Sequence, residues 1–245
     1  MSYLQQKKNI NLLLAFFIPI LVAALFRFWD LDLRPFHSDE GVNTHFLLRL
    51  YNDNYYHYNP ANYHGPFLYY IGLIPFYIFG LSDFSFRLMP VLFGIMSVAL
   101  LYPLRRCLGL IGLITVGLMI AISPANSYFA RDTIHETYLV FFTLAAVVSF
   151  FQYSETRKSR YIYFGAASLA FTITVKETYI ITFAIFALSL IIAYFYEWIS
   201  GYFSKNRETA TENSKYFKAI FTTFFADCRE KKYAVGISVG GFLLI

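Results

Sequence analysis

The chain has 245 residues, with 20 Lys and Arg against 15 Asp and Glu. Charged residues make up 14%, and the residues AVILMFWYC make up 58%. So apolar a composition excludes a disordered chain, and it argues against a water-soluble domain, which carries about 25% charged residues. Cys107 and Cys228 form no CxxC metal pair and no disulfide framework. The net charge of +5 comes from basic clusters, which in a membrane protein report topology, so no nucleic-acid partner is expected.

A spanning helix needs roughly 20 apolar residues. In chain order, Ile10–Phe26 follows Lys7 and Lys8 and reads as an uncleaved first span. Charge-free stretches follow at Asn62–Ser82, Leu88–Leu104, Leu108–Ala130, Thr137–Ser154, Tyr161–Val175 and Thr178–Tyr196. A basic stretch, 201–232, reads as a cytoplasmic loop, and Tyr233–Ile245 as the start of a further span, as expected of a partial chain. The fold class expected is an all-α polytopic membrane protein, with a membrane module over 1–200.

Orientation turns on Asn62–Ser82. If it does not span and the N-terminus is cytoplasmic, 14 of the 20 basic residues lie inside, satisfying the positive-inside rule. A spanning segment with an external N-terminus satisfies the rule equally well. The first arrangement puts the loop 30–64, the Arg131–Glu136 turn and Lys176-Glu177 on one external face. Ionisable groups at membrane depth are costly and usually functional, so their gathering favours that arrangement. Asn62–Ser82 is then a re-entrant or interfacial element, and Gly65-Pro66 and Pro75 suit a broken one.

The first loop carries His37-Ser38-Asp39-Glu40 ahead of an expected interfacial helix over Gly41–Tyr51, with Val42, Phe46, Leu47 and Leu50 on its apolar face. Ser38 or Asp39 could simply cap that helix. A carboxylate at the water boundary is also well placed as a general base. Tyr55, Tyr56, Tyr58 and Tyr63 suit either an interfacial belt or stacking on sugars, and His64 stands alone before Gly65-Pro66. If Asp132 opens the helix after the Arg131 turn, His135 and Glu136 share its face. Arg131 could bind phosphate or snorkel. Glu40, His135 and Glu136 are weak metal candidates, leaving a divalent metal open as cofactor. Lys176 beside Glu177 suits an anionic lipid headgroup or a plain loop ion pair.

Four segments carry a family resemblance. Arg34-Pro35-Phe36-His37-Ser38-Asp39-Glu40-Gly41 resembles the Asp-Glu loop of GT-C membrane glycosyltransferases, in their protein O-mannosyltransferase and aminoarabinose transferase branch. Tyr63-His64-Gly65-Pro66-Phe67-Leu68-Tyr69-Tyr70 is similar to their next segment, and Phe84-Ser85-Phe86-Arg87-Leu88-Met89-Pro90 with Phe93-Gly94 to the one after. The His64-Gly65-Pro66-Phe67 spelling and Val175-Lys176-Glu177 most resemble a subgroup described as flippase-activity-associated proteins of archaeal-type N-glycosylation. The resemblance covers residues 30–200.

It implies a GT-C helical bundle in a prokaryotic cytoplasmic membrane, with interfacial helices in the first external loop and an extracytoplasmic active face. It also implies a polyprenyl-phosphate sugar donor and inverting transfer to an acceptor the sequence does not name. Carried over, Asp39 is the general base, Glu40 positions the acceptor or a metal, and Arg131 and Lys176 neutralise the departing phosphate. Asp132 and Glu177 stand beside these two as substrate-site candidates. The aminoarabinose branch has a lysine near position 64, so His64 is the candidate replacement. A non-catalytic flippase or flippase-accessory role is the alternative. A secondary transporter ranks below both, since no repeat is evident.

Overall fold

The computed structural model describes residues 3–56, 58 and 64–203. The expected loop beyond residue 203, the span 233–245, His57 and residues 59–63 lie outside them. Among the described residues the fold is all-α, with an isolated two-residue bridge between His64 and Lys176.

Helix α1 (Tyr3–Phe28) packs along α4 (Asp83–Ala99) and α5 (Arg105–Ile122). Phe16 meets Tyr102 and the backbone at Gly117, whereas Arg27 meets Gly94 and Ala121. So α4 runs antiparallel to α1 and α5 parallel to it, and the apolar stretch Asp83–Ile122 is two arms joined through a 3-10 turn at Tyr102–Leu104. The expected span Leu88–Leu104 begins earlier, because Ser82 caps α4: its Oγ accepts from Ser85 N at 3.2 Å. The expected span Leu108–Ala130 breaks at Ser123, where Pro124 opens the short helix α6 (Pro124–Phe129).

Helices α7 (Glu136–Thr156) and α8 (Arg160–Val175) form a hairpin packed on α4. Helix α9 (Tyr179–Phe203) runs past the expected boundary at residue 200 and presents Ile181, Ile185, Leu188 and Ile192 outward. Glu136–Thr156 and Tyr179–Tyr196 are each long and apolar enough to cross a membrane.

Helix α2 (Ser38–Asp53) is capped neither by Ser38 nor by Asp39 but by His37, whose Nδ1 accepts from Asp39 N at 3.4 Å. Glu40 reaches back to His37 N and completes the capping box. The buried face of α2 carries Glu40, Asn43, Thr44, Leu47 and Leu50. This corrects the expected stripe: Val42 is exposed, Asn43 and Thr44 are buried, and Asn43 finds two partners there. Asn43 Nδ2 donates to Thr133 O at 2.9 Å, and Tyr69 donates to Asn43 Oδ1 at 3.2 Å.

Helix α3 (Phe67–Phe79) has 13 residues. At 1.5 Å each it is about 20 Å long, short of a hydrocarbon core of about 30 Å. Just before it, Gly65 N donates to Val175 O at 3.2 Å; at its end Phe79 packs on Phe84 at the start of α4. Both ends therefore meet the same end of the bundle. Phe67 anchors α3, with its ring edge-on to Phe93, Tyr138, Phe142 and Phe171. Gly65 is required by close approach, because a Cβ there would collide with the Thr174 carbonyl.

One buried ion pair holds this end together. Arg87 donates to both carboxylate oxygens of Glu40, at 2.7 and 2.8 Å, and to Leu31 O at 2.7 Å. Thr133 N adds a bond to Glu40 Oε1 at 3.3 Å, and Thr133 Oγ1 donates to Phe86 O at 2.8 Å. Removing one partner of such a pair leaves an uncompensated buried charge, a cost of about 3–5 kcal/mol. Glu40→Gln should therefore abolish folding or lower the melting temperature sharply, and Glu40→Gln with Arg87→Met should be less damaging than Glu40→Gln alone. Thermal unfolding in detergent, followed by helical circular dichroism, measures both.

Candidate active site

At the end of the bundle where α2, α3, α7 and α8 meet lies a cavity of about 400 Å³, within the range of small-molecule sites. The start of α2 supplies His37, Asp39, Val42 and Asn43 to its wall. His64 comes from the entry to α3, Tyr128 and Phe129 from α6, Asp132, Ile134 and His135 from the turn before α7, and Glu136 from its first position. Lys176 closes the wall at the end of α8.

Six of the candidate residues therefore meet in one place: Asp39, His64, Asp132, His135, Glu136 and Lys176. Asp39 is exposed, with Ser38 Oγ at 3.4 Å from its carboxylate. Lys176 Nζ donates to Glu136 Oε1 at 2.6 Å. Glu177 lies beside this pair, its Oε2 3.7 Å from His64 Nδ1. The bridge of His64 to Lys176 fixes the spacing of these two through backbone atoms.

Two candidates fall elsewhere. Glu40 is fully buried with both oxygens engaged by Arg87, so it shapes the start of α2 and does not line this cavity. Arg131 turns away and donates to the carbonyls of Trp29 and Asp30, holding the loop after α1. Burial lowers its pKa first, and the nearby Arg34 and Arg87 lower it further.

Asp132 does not open α7, which starts at Glu136 behind His135. Asp132 sits in the preceding turn, paired with Arg34, whose guanidinium also lies 4.6 Å from the centre of the Tyr128 ring. The expected shared helical face of Asp132, His135 and Glu136 is thus replaced by a shared cavity wall. Among the described residues no three His, Cys, Asp or Glu side chains gather as a metal set.

His135 is 1% exposed, and its ring lies tilted against His64 with ring centres 4.4 Å apart. Burial, then the charges of His64 and Lys176, push its pKa well below the usual histidine value, against a hydrogen bond to the Gly65 backbone. Its Nε2 has no hydrogen-bond partner. Above His64, Tyr56 donates to the His64 carbonyl at 2.9 Å and stacks on Tyr69. Burial, then Glu177, push Tyr56 up to about 12.

The pattern of residues alone does not reveal His37 as a cap, Arg34 as the partner of Asp132, or Asn43 and Tyr128 on the wall. Arg87 left one trace: an arginine inside an apolar stretch must find a partner.

A histidine whose folded pKa is depressed favours folding fully above its ordinary value of 6.5, and that contribution fades as pH falls from there. The melting temperature in detergent should therefore drop between pH 7.5 and 5.5. His135→Gln, which has no proton to gain, should show a smaller drop.

A family model, dolichyl-phosphate-mannose-protein mannosyltransferase, matches residues 59–226, about two thirds of the chain. The match takes in His64, the Arg131–Glu136 turn and Lys176-Glu177, and begins after the Asp39 loop. No curated protein matches the chain significantly. The match agrees with the resemblance to the GT-C superfamily drawn from the four segments. The chain belongs to the dolichyl-phosphate-mannose-protein mannosyltransferase family of membrane glycosyltransferases.

Proposed function

We propose that the protein transfers a sugar from a polyprenyl-phosphate donor to an acceptor hydroxyl at the extracytoplasmic face of a prokaryotic cytoplasmic membrane. The observation that carries this reading is the placement of Asp39 and Lys176 on the wall of one cavity. Asp39 takes the proton as the acceptor oxygen bonds to the anomeric carbon. The bond from that carbon to the phosphate oxygen breaks, and its electron pair leaves with the lipid phosphate. Attack opposite the leaving group inverts the anomeric centre.

Lys176 faces the charge that grows on the leaving phosphate, an electrostatic contribution of the kind that dominates such reactions. His64, held beside Lys176 by backbone pairing, is the second phosphate contact. Glu177 positions His64, and Asp132, paired with Arg34, shapes the acceptor side. Arg131 is left out of the anion site, since it is absent from the cavity wall and its Nη2 is engaged by the Trp29 and Asp30 carbonyls.

The orientation rests on the basic residues. Arg105, Arg106, Arg157, Lys158 and Arg160 lie at the end of the bundle away from the cavity, which favours that end as cytoplasmic. In a cysteine-free background, His45→Cys and Tyr128→Cys should react with an impermeant maleimide in intact cells. A variant that keeps Cys107, exposed at the other end, as its single cysteine should react only after permeabilisation. Labelling of Cys107 alone in intact cells would reverse the orientation.

General-base help is typically worth about 10²–10⁴-fold. Asp39→Asn should keep membrane insertion and abundance but lose transfer by a factor in that range, measured with radiolabelled polyprenyl-phosphate sugar. Unimpaired transfer, or flipping of a lipid-linked glycan without transfer, would replace the enzymatic reading with a flippase or flippase-accessory role.

A further inference from the structure

A second, smaller cavity of about 90 Å³ adjoins the first. Arg27, Asn126 and Glu136 lie on its wall, and Glu136 lines both cavities. Arg27 is fully buried at the end of α1. Its terminal nitrogens donate to the carbonyls of Ala23, Ile120 and Ala121, at 3.1 to 3.3 Å, while Nε has no partner. Among the described residues no carboxylate pairs with it. A buried guanidinium held only by carbonyls leaves its full charge uncompensated, which is costly. Glu136 lines both cavities and so stands between two cations: Lys176, which it holds at 2.6 Å, and Arg27, whose buried Nε has no hydrogen-bond partner.

We propose that Glu136 is a two-position counter-ion: it holds Lys176 while no phosphate is bound, and turns into the small cavity toward Arg27 when a lipid phosphate takes Lys176. This rests on the reading of Lys176 as the phosphate partner. Turning a glutamate between staggered rotamers needs no backbone movement, and the small cavity exceeds the space a single water needs several-fold.

The arrangement serves turnover. Breaking the sugar–phosphate bond converts a singly charged diester into a monoester of about −1.5 to −2 charge, which Lys176 would hold more tightly than the donor. A carboxylate able to return to Lys176 competes with that product and helps it leave. Glu136 is therefore a positioning residue.

The test is binding of a polyprenyl monophosphate in detergent micelles to the purified full chain. Glu136→Gln should tighten binding about two- to fivefold, the range set by a half-exposed ion pair, and lower both KM and kcat for transfer. In a Lys176→Ala background the same substitution should change nothing. Asn126→Asp adds a carboxylate beside Arg27, removes the second position for Glu136, and should weaken binding by a similar factor. It should have no effect in a Glu136→Gln background.

If Lys176→Ala alone leaves binding intact, the phosphate reading of Lys176 falls, and this inference with it. If Lys176→Ala weakens binding but Glu136→Gln does not tighten it, only the counter-ion role falls. If Asn126→Asp weakens binding equally with and without Glu136, the charge acts at a distance and the Arg27 position is overturned.

Discussion

The end of the bundle that carries the cavity is tied together by Glu40 and Arg87, which meet inside the protein. Each is fully buried, and each would be prohibitively costly alone. Their hydrogen bonds tie together four segments at this end of the bundle: the loop at Leu31, the cap at His37, the turn at Thr133 and the start of α4. Asp39 is adjacent to Glu40 in the chain, so fixing one carboxylate in the interior leaves the next one facing the cavity at the first turn of α2. The Asp-Glu pair thus divides its labour: one residue is held so that the other is placed.

The cavity wall balances its charges locally. Asp132 is matched by Arg34 and Glu136 by Lys176, and His135 is held neutral by burial beside His64. Asp39 is the carboxylate on that wall whose contacts are a neighbouring hydroxyl and its own helix start. An electrostatically settled site with one available carboxylate suits a reaction that must take a proton at one point and tolerate new negative charge at another.

Much of this was legible in the sequence. Charge-free runs marked the helices α1, α4, α5, α7, α8 and α9, since a membrane tolerates little else. Gly65-Pro66 and Pro75 pointed to a broken or shallow element where the short α3 lies, and Asp39, His64 and Lys176 line one cavity. What failed to show depends on partners far apart in the chain. Arg131 reads as a phosphate ligand until the carbonyls of Trp29 and Asp30 claim it, about a hundred residues away. Asn43 reads as a polar residue off the apolar face because no local pattern announces Thr133 and Tyr69. The sequence allows Asp132 to open the helix after the Arg131 turn, but Asp132 pairs with Arg34 in the turn and Glu136 begins the helix instead.

The short helix α3 has a consequence of parity. A chain that winds back and forth through a bundle alternates ends with each passage, so any element that fails to cross changes the end at which everything after it emerges. Because α3 returns to the end it left, the turn before α7 and the loop after α8 arrive where α2 already lies. One extra passage would send them to the far end, with Asp39 and Lys176 separated by the length of the bundle. The meeting of residues 39, 132 and 176 is thus governed by an even-or-odd count, decided by a helix of 13 residues that contributes no side chain to the cavity wall.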